Sequence, residues 1–142
     1  MTLKVEHRVE IDRPIEEVFA YSSDPLKQTD WQNGLIRVEA DSPMAVGTVT
    51  TEVRKVMGRE METQMECVTF DPPNKFISKS LSGPVEMTFT QSLESSGQGT
   101  QIHVVVEGEP GGFFGVAGPI LKKFVQNDVE KDYAKLKEVL EA

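Results

Sequence analysis

Apolar and polar side chains alternate without a break from Leu3 to Ile11. Leu3, Val5, His7, Val9 and Ile11 share one face, and Lys4, Glu6, Arg8 and Glu10 share the other. A period of two predicts a half-buried strand. The run Asp12-Arg13-Pro14-Ile15-Glu16-Glu17 then supplies a capping residue, a proline suited to a first helical turn, and two acids where the helix dipole favours them. A short helix burying Ile15, Val18, Phe19 and Ser22 should follow. Asp24-Pro25 repeats the start signal and predicts a second short helix, running to Trp31 and ending before Asn33-Gly34.

From Leu35 to Glu107 the punctuation changes. Turn formers cluster at Asp41-Ser42-Pro43, Gly58, Asp71-Pro72-Pro73-Asn74, Ser82-Gly83-Pro84 and Ser95-Ser96-Gly97-Gln98-Gly99, a spacing that predicts a string of antiparallel strands. Around Gly58, a three-residue loop Met57-Gly58-Arg59 pairs odd positions with odd. It places Val49, Val53, Met61, Met65 and Cys67 on one face and sets Arg54 opposite Glu62 on the other, a favourable cross-strand charge pair. A two-residue loop would set Val53 against Glu62 and is disfavoured on that ground. Val85, Met87, Phe89 and Leu93 alternate likewise, as do Ile102, Val104 and Val106.

Pro110-Gly111-Gly112 opens a glycine-rich stretch with Gly115 and Gly118-Pro119, which leads into a helical pattern reaching Leu140. At about 100° per residue, Phe113, Ala117, Ile120, Leu121 and Phe124 form one apolar stripe. Val125, Val129, Tyr133, Leu136 and Leu140 form a second, rotated to one side. Such drift is expected of a helix bent near Pro119 over a curved sheet. The glycines cost helix stability, so the segment from Gly111 to Pro119 is expected to open easily and to gate whatever lies beneath. No internal repeat or low-complexity linker divides the chain, and residues 1–142 read as a single domain.

Composition narrows the partners. Fifteen Lys plus Arg against 23 Asp plus Glu leave a formal charge of −8, a field that repels phosphate backbones and disfavours nucleic acid. Cys67, the lone cysteine, has no partner for a disulfide, and with only His7 and His103 beside it no zinc-site spacing exists. No metal and no cofactor are expected. The N-terminus has no apolar targeting core and no 18 apolar residues run together, so a cytoplasmic protein without a membrane span is expected. Phe113 and Phe114, set among glycines, are candidates for a transient membrane or protein contact.

The order strand, two short helices, six strands and one long helix has a physical consequence. A twisted antiparallel sheet must cover its apolar face, and only the final helix is long enough to cross it. One helix is narrower than such a sheet, so the sheet must curl around it and leave a cavity unless bulky side chains fill the space. In this the chain resembles the START-like helix-grip superfamily often labelled SRPBCC, and within it the polyketide cyclase/dehydrase-like and carbon-monoxide-dehydrogenase-subunit-G-like groups. The resemblance spans essentially the whole chain. It is carried by Val9-Glu10-Ile11-Asp12-Arg13-Pro14-Ile15-Glu16-Glu17-Val18-Phe19 followed by Asp24-Pro25 and Trp31. Further pieces are Val46-Gly47-Thr48, Val56-Met57-Gly58-Arg59, Asp71-Pro72-Pro73, Gly99-Thr100, and Leu136-Lys137 near Leu140-Glu141. It implies an α+β helix-grip fold: a curled antiparallel sheet of six to seven strands around a long C-terminal helix, with two short helices after the first strand. It also implies a hydrophobic cavity for lipids, polyketides, hormones or aromatic compounds.

The expected cavity lining is Trp31, Val53, Met61, Met65, Phe76, Met87, Phe89, Phe113, Ala117, Ile120, Leu121 and Phe124. Met57, Met61, Met65 and Met87 fall on strands flanking the long helix, where flexible thioethers suit variable apolar shapes or simply fill gaps in a core. Trp31 fits a core position and a place at the cavity mouth equally well. Catalytic candidates are thin. Strand parity sends His7 and His103 to opposite faces, and Cys67 reads as a small core residue. Asp128 and Asp132 fall between the two helical stripes, where a carboxylate against an apolar cavity would have a raised pKa and could act as a general acid. Lys131 and Lys135 stand three residues on, so exposed ion pairs are the expected outcome for both acids. Glu52, Arg54, Glu60, Glu62 and Glu66 are expected to share the outer, solvated face. Gln91 and Ser78 complete the polar candidates. The pattern points to a protein that binds a hydrophobic or aromatic small molecule. The alternatives are a polyketide cyclase/dehydratase-type enzyme using the same cavity and an adaptor in which the cavity is collapsed.

Overall fold

Seven strands form one antiparallel sheet in the order β1-β7-β6-β5-β4-β3-β2. They are β1 Leu3–Ile11, β2 Leu35–Ala40, β3 Val49–Val56, β4 Arg59–Asp71, β5 Lys75–Ser82, β6 Val85–Ser96 and β7 Gly99–Pro110. Helix α1 (Ile15–Ser22) and a 3₁₀ helix (Pro25–Asp30) join β1 to β2, and a long helix α2 (Gly118–Glu141) closes the chain. These assignments come from a computed structural model that describes residues 3–83, 85–110 and 118–142. Phe113, Phe114 and Ala117, and the expected gate over Gly111 to Pro119 as far as residue 117, lie outside the described residues.

β1 alternates as its sequence requires, with Leu3, Val5 and Ile11 buried. α1 buries Ile15, Val18, Phe19 and Ser22, the four positions its pattern marks, but it starts without a side-chain cap because Pro14 holds the N-cap. Asp12 lies two residues too early to cap it and instead donates its backbone N–H to Glu141 Oε2, 2.8 Å away. The 3₁₀ helix is capped by the expected residue, since Asp24 accepts from the Leu26 N–H.

β1 is an edge strand, a position that normally presents open hydrogen-bonding groups. α2 covers it: Gln126 Nε2 donates to the Glu6 carbonyl and Lys137 Nζ to the Glu10 carbonyl, at 3.1 and 2.7 Å. The β4–β5 register slips twice, between Gln64 and Met65, where the extra residue is Leu81 on β5, and between Cys67 and Thr69, where it is Val68 on β4. A bulge bends its strand and reverses parity beyond it. Met61, Thr63, Met65 and Cys67 are buried before the second slip, and Phe70 packs against Phe19 after it, with ring centroids 5.4 Å apart.

The β3–β4 hairpin corrects the sequence reading. Val56 pairs with Arg59, so the loop is the two residues Met57 and Gly58, both at positive φ (52° and 80°). Two successive positive φ values make the turn whose twist matches the flanking strands. Val53 therefore does face Glu62, and Arg54 faces Met61. The cost at Val53 is avoided because its neighbours in the row, Arg37 on β2 and Glu62 on β4, bring their charged ends to 4.0 Å from each other. Their aliphatic stems flank a valine that is buried on the outer face.

Candidate functional site

Because β3 carries its even-numbered residues inward, Thr50, Glu52, Arg54 and Val56 face the space between sheet and α2. From β4 to β7 the wall is apolar apart from Ser78: Met61, Met65, Phe76, Val85, Met87, Phe89 and Val106. α2 supplies Leu121, Phe124, Val125, Asp128, Val129, Asp132 and Tyr133, and the segment after α1 supplies Gln28, Trp31 and Gln32. Together they enclose a cavity of about 160 Å³. Of the expected lining, Trp31, Met61, Met65, Phe76, Met87, Phe89, Leu121 and Phe124 border it. Val53 does not, since the two-residue turn puts it on the outer face. Ile120 does not either; it is 66% exposed, on the side of α2 turned away from the sheet.

The polar end of the cavity departs from the sequence expectation. Arg54 Nη2 donates to Glu52 Oε2 at 2.8 Å and to Gln32 Oε1 at 2.9 Å. A three-residue loop would put Glu52 and Arg54 on the solvated face; the shorter turn reverses them. Asp128 and Asp132 also turn inward, correcting the expected exposed ion pairs, and Lys135 pairs instead with Glu138 at 3.5 Å. The reason is the setting of α2 on the sheet. Tyr133, Leu136 and Leu140 anchor its buried face, and that rotation carries Asp132, one position before Tyr133, and Asp128, one turn earlier, over the cavity.

Asp132 is only 6% exposed, and its Oδ1 accepts the Asn33 backbone N–H at 2.9 Å. Burial raises its pKa to about 7, reinforced by the charge of Asp128 and opposed by the Asn33 N–H and Arg54. Burial also raises Asp128, against the pull of Arg54 and Lys131. Burial works against the charge on Arg54, but Glu52, then Asp132 and Asp128, hold the guanidinium above its ordinary value. Gly34 keeps this corner tight: a Cβ there would stand 3.3 Å from Asp128 Oδ2 and 3.3 Å from the Lys55 carbonyl, so either neighbour would have to give by a few tenths of an ångström.

The other polar candidates take structural places. Gln91 is fully buried, accepting from Tyr133 Oη at 2.6 Å and donating through Nε2 to Ser22 Oγ at 2.9 Å. Ser78 is buried on the cavity wall. His7 sits opposite Val104, whereas His103 sits opposite Arg8 with Nε2 3.1 Å from Glu6 Oε2, so the two rings stand on different faces. Cys67 is a buried free thiol whose Sγ reaches the Thr69 carbonyl, and burial pushes its pKa up. Among the described residues no group of three or more His, Cys, Asp or Glu is placed to hold a metal ion. No helix among them is long and apolar enough to cross a membrane.

A surface groove of about 820 Å³ runs outside the half-barrel along α1, the 3₁₀ helix and the segment Ala40 to Met44, against Phe70, Pro72 and Pro73. Met44 borders both hollows. The inner cavity is the candidate site because buried polar groups converge there on an otherwise apolar wall.

Residues 2–141 match the family model described as polyketide cyclase / dehydrase and lipid transport. The chain belongs to that family. Solved structures agree in fold. A Thermus thermophilus protein, TTHA0849, superposes with a TM-score of 0.85 at 21% identity, over 95% of this chain and 94% of that one. A START superfamily protein from Mycobacterium smegmatis gives 0.84 at 16% identity, over 98% and 97%. The Zhui aromatase/cyclase from Streptomyces sp. R1128 gives 0.85 at 18% identity, over 99% and 94%. No curated protein matches in sequence. The family member described here thus has the helix-grip fold of START-like proteins, a seven-stranded half-barrel closed by its C-terminal helix.

Proposed function

We propose that this family member binds an apolar or aromatic small molecule in the cavity between the sheet and α2, acting as a single START-like domain. One observation carries the reading. Beside a core of fully buried side chains, the space walled by Met61, Met65, Met87, Phe76, Phe89 and Phe124 stays open. An open hollow gives up dispersion contacts that filling it would recover. At about 160 Å³ it is below the roughly 300–1,000 Å³ of drug-sized sites and close to what one aromatic ring occupies. Larger ligands require the methionines to swing aside, which unbranched thioethers do at little cost. The open space supports this reading over that of an adaptor with a collapsed cavity.

The test is a titration with propylbenzene followed through the ε-methyl NMR signals of the methionines. Met61, Met65 and Met87 should shift in a saturable manner with a dissociation constant below about 1 mM, roughly −4 kcal/mol or better. Met57, in the β3–β4 turn and off the cavity lining, serves as the reference. Met65→Trp or Phe124→Trp should fill the space and weaken binding. No saturable shift in the wild-type protein overturns the reading.

A second reading, an enzyme of the cyclase or dehydratase kind, is favoured by Asp132. A wall carboxyl with a pKa of about 7 both gives and takes protons at neutral pH, as general acid–base chemistry requires. Recovery of a bound ligand chemically unchanged after prolonged incubation would count against it.

A further inference from the structure

Resting on the cavity as the binding site, we infer that its ligand carries a neutral hydroxyl at the polar end, and that anionic ligands such as carboxylates are excluded. Two groups on the lining, a fully buried donor and a carboxylate, are complementary. Trp31 is 2% exposed, and its indole N–H has no hydrogen-bond acceptor among the described residues. Asp128, half-buried across from β3, accepts no hydrogen bond among them; its neighbour in the cluster, Asp132, already takes the Asn33 N–H. The two strongest donors beside them are engaged. Arg54 is held by Glu52 and Gln32, and the Tyr133 hydroxyl by Gln91. The polar end therefore offers the buried Trp31 N–H as a donor and the Asp128 carboxylate as an acceptor.

An orphaned buried N–H is costly and rare, and it marks a place where a partner is missing. A hydroxyl is the smallest group that combines the two matching roles, accepting from an N–H and donating to a carboxylate. A carboxylate ligand would accept from Trp31 but bring a fourth acid to Glu52, Asp128 and Asp132, whose only cationic neighbour on the lining, Arg54, is already paired. An ammonium would donate to Asp128 and leave the indole N–H unmet. The apolar body of the ligand lies against the thioethers and phenylalanines, and its hydroxyl reaches toward α2 and Trp31.

The experiment compares four probes that share one body: 3-phenylpropan-1-ol, propylbenzene, 3-phenylpropylamine and 3-phenylpropanoate, each titrated at neutral pH against the methionine methyl signals. The alcohol should bind at least about tenfold more tightly than propylbenzene, the increment of one charge-assisted hydrogen bond in a desolvated site. The carboxylate should bind more weakly than propylbenzene. In Trp31→Phe, and separately in Asp128→Ala, the ratio of alcohol to hydrocarbon affinity should fall at least about threefold, within the range of one lost hydrogen bond. The helical, half-exposed Asp128 position tolerates alanine even if the tryptophan variant fails to fold. An alcohol no tighter than propylbenzene, or an amine or carboxylate tighter than the alcohol, overturns the inference while leaving the cavity reading intact. Failure of propylbenzene itself to bind overturns the cavity reading.

Discussion

The interior of the half-barrel has two regions built to different rules. Beneath α1 it is filled. Phe19 packs on Phe70 and Phe76 with ring centroids 5.4 and 6.1 Å apart, Leu136 and Ile102 are wholly buried, and Gln91 has both ends of its amide engaged. Beneath the earlier turns of α2 it is open, walled by flexible methionines, with an indole N–H and a carboxylate left unpaired and a second carboxyl driven to a pKa of about 7. The filled region matches its polar groups with partners inside the chain and so stabilises the fold. The open region leaves polar groups under strain where a ligand can relieve it, a division typical of sites that give up stability for function.

The sharpest way to break this comparison is to truncate one side chain in each region. Leu136→Ala should cost roughly 2–5 kcal/mol, because a fully enclosed site cannot collapse around the loss. Met87→Ala, at a partly buried residue bordering space that is already open, should cost about 2 kcal/mol, at the low end of that range because little new cavity is created. Urea unfolding midpoints compare the two. Equal losses would show that the open region is as tightly packed as the filled one.

A second contrast is in pH. Unfolded Asp132 releases its proton near the ordinary 3.8, whereas folded Asp132 holds it to about 7. Below the first value the residue contributes nothing to pH dependence. As pH rises between the two, the unfolded state binds fewer protons, so stability falls by up to about 1.4 kcal/mol per pH unit and levels off above 7. Asp132→Asn removes that penalty while keeping an oxygen for the Asn33 N–H. The variant should be more stable than wild type by about 2–4 kcal/mol at pH 8 and nearly equal to it at pH 4. A constant difference between the two proteins across this range would place the charge of Asp132 in water instead.

The smallest effect belongs to the filled region. Tyr133→Phe leaves Gln91 Oε1 buried without its 2.6 Å donor and should cost about 1–2 kcal/mol at every pH from 5 to 8. Chemical denaturation at two pH values measures it. A cost that changed with pH would tie this network to the Asp132 cluster and blur the line between the two regions.

What could be read from sequence, and what could not, follows the same division. The strand and helix sequence, the buried face of α1, the Asp24 cap and the methionine and phenylalanine wall were all legible, because each rests on a short-range period or a turn residue. The polar end was not. Glu52 and Arg54 lie on a strand whose odd positions include Val49 and Val53, so local hydrophobicity argued for the wrong face. Only the backbone of Met57 and Gly58, taking positive φ at both positions, reversed it. Gly58 at the second of two turn positions was the available signal, outweighed by an apparent charge pair.

By itself, the order and periodicity of the sequence determined that a long helix must cross a curled antiparallel sheet, since no other element can cover the apolar face. Tertiary structure decided what the cavity holds at its polar end. The rotation of α2 on the sheet is set by where Tyr133, Leu136 and Leu140 find depth, and it turns Asp128 and Asp132 inward despite the lysines beside them. Helical spacing states which residues share a face. Which face meets the sheet is settled by contacts among residues far apart in the chain, where burial of one large side chain outweighs a surface ion pair worth about 1 kcal/mol or less.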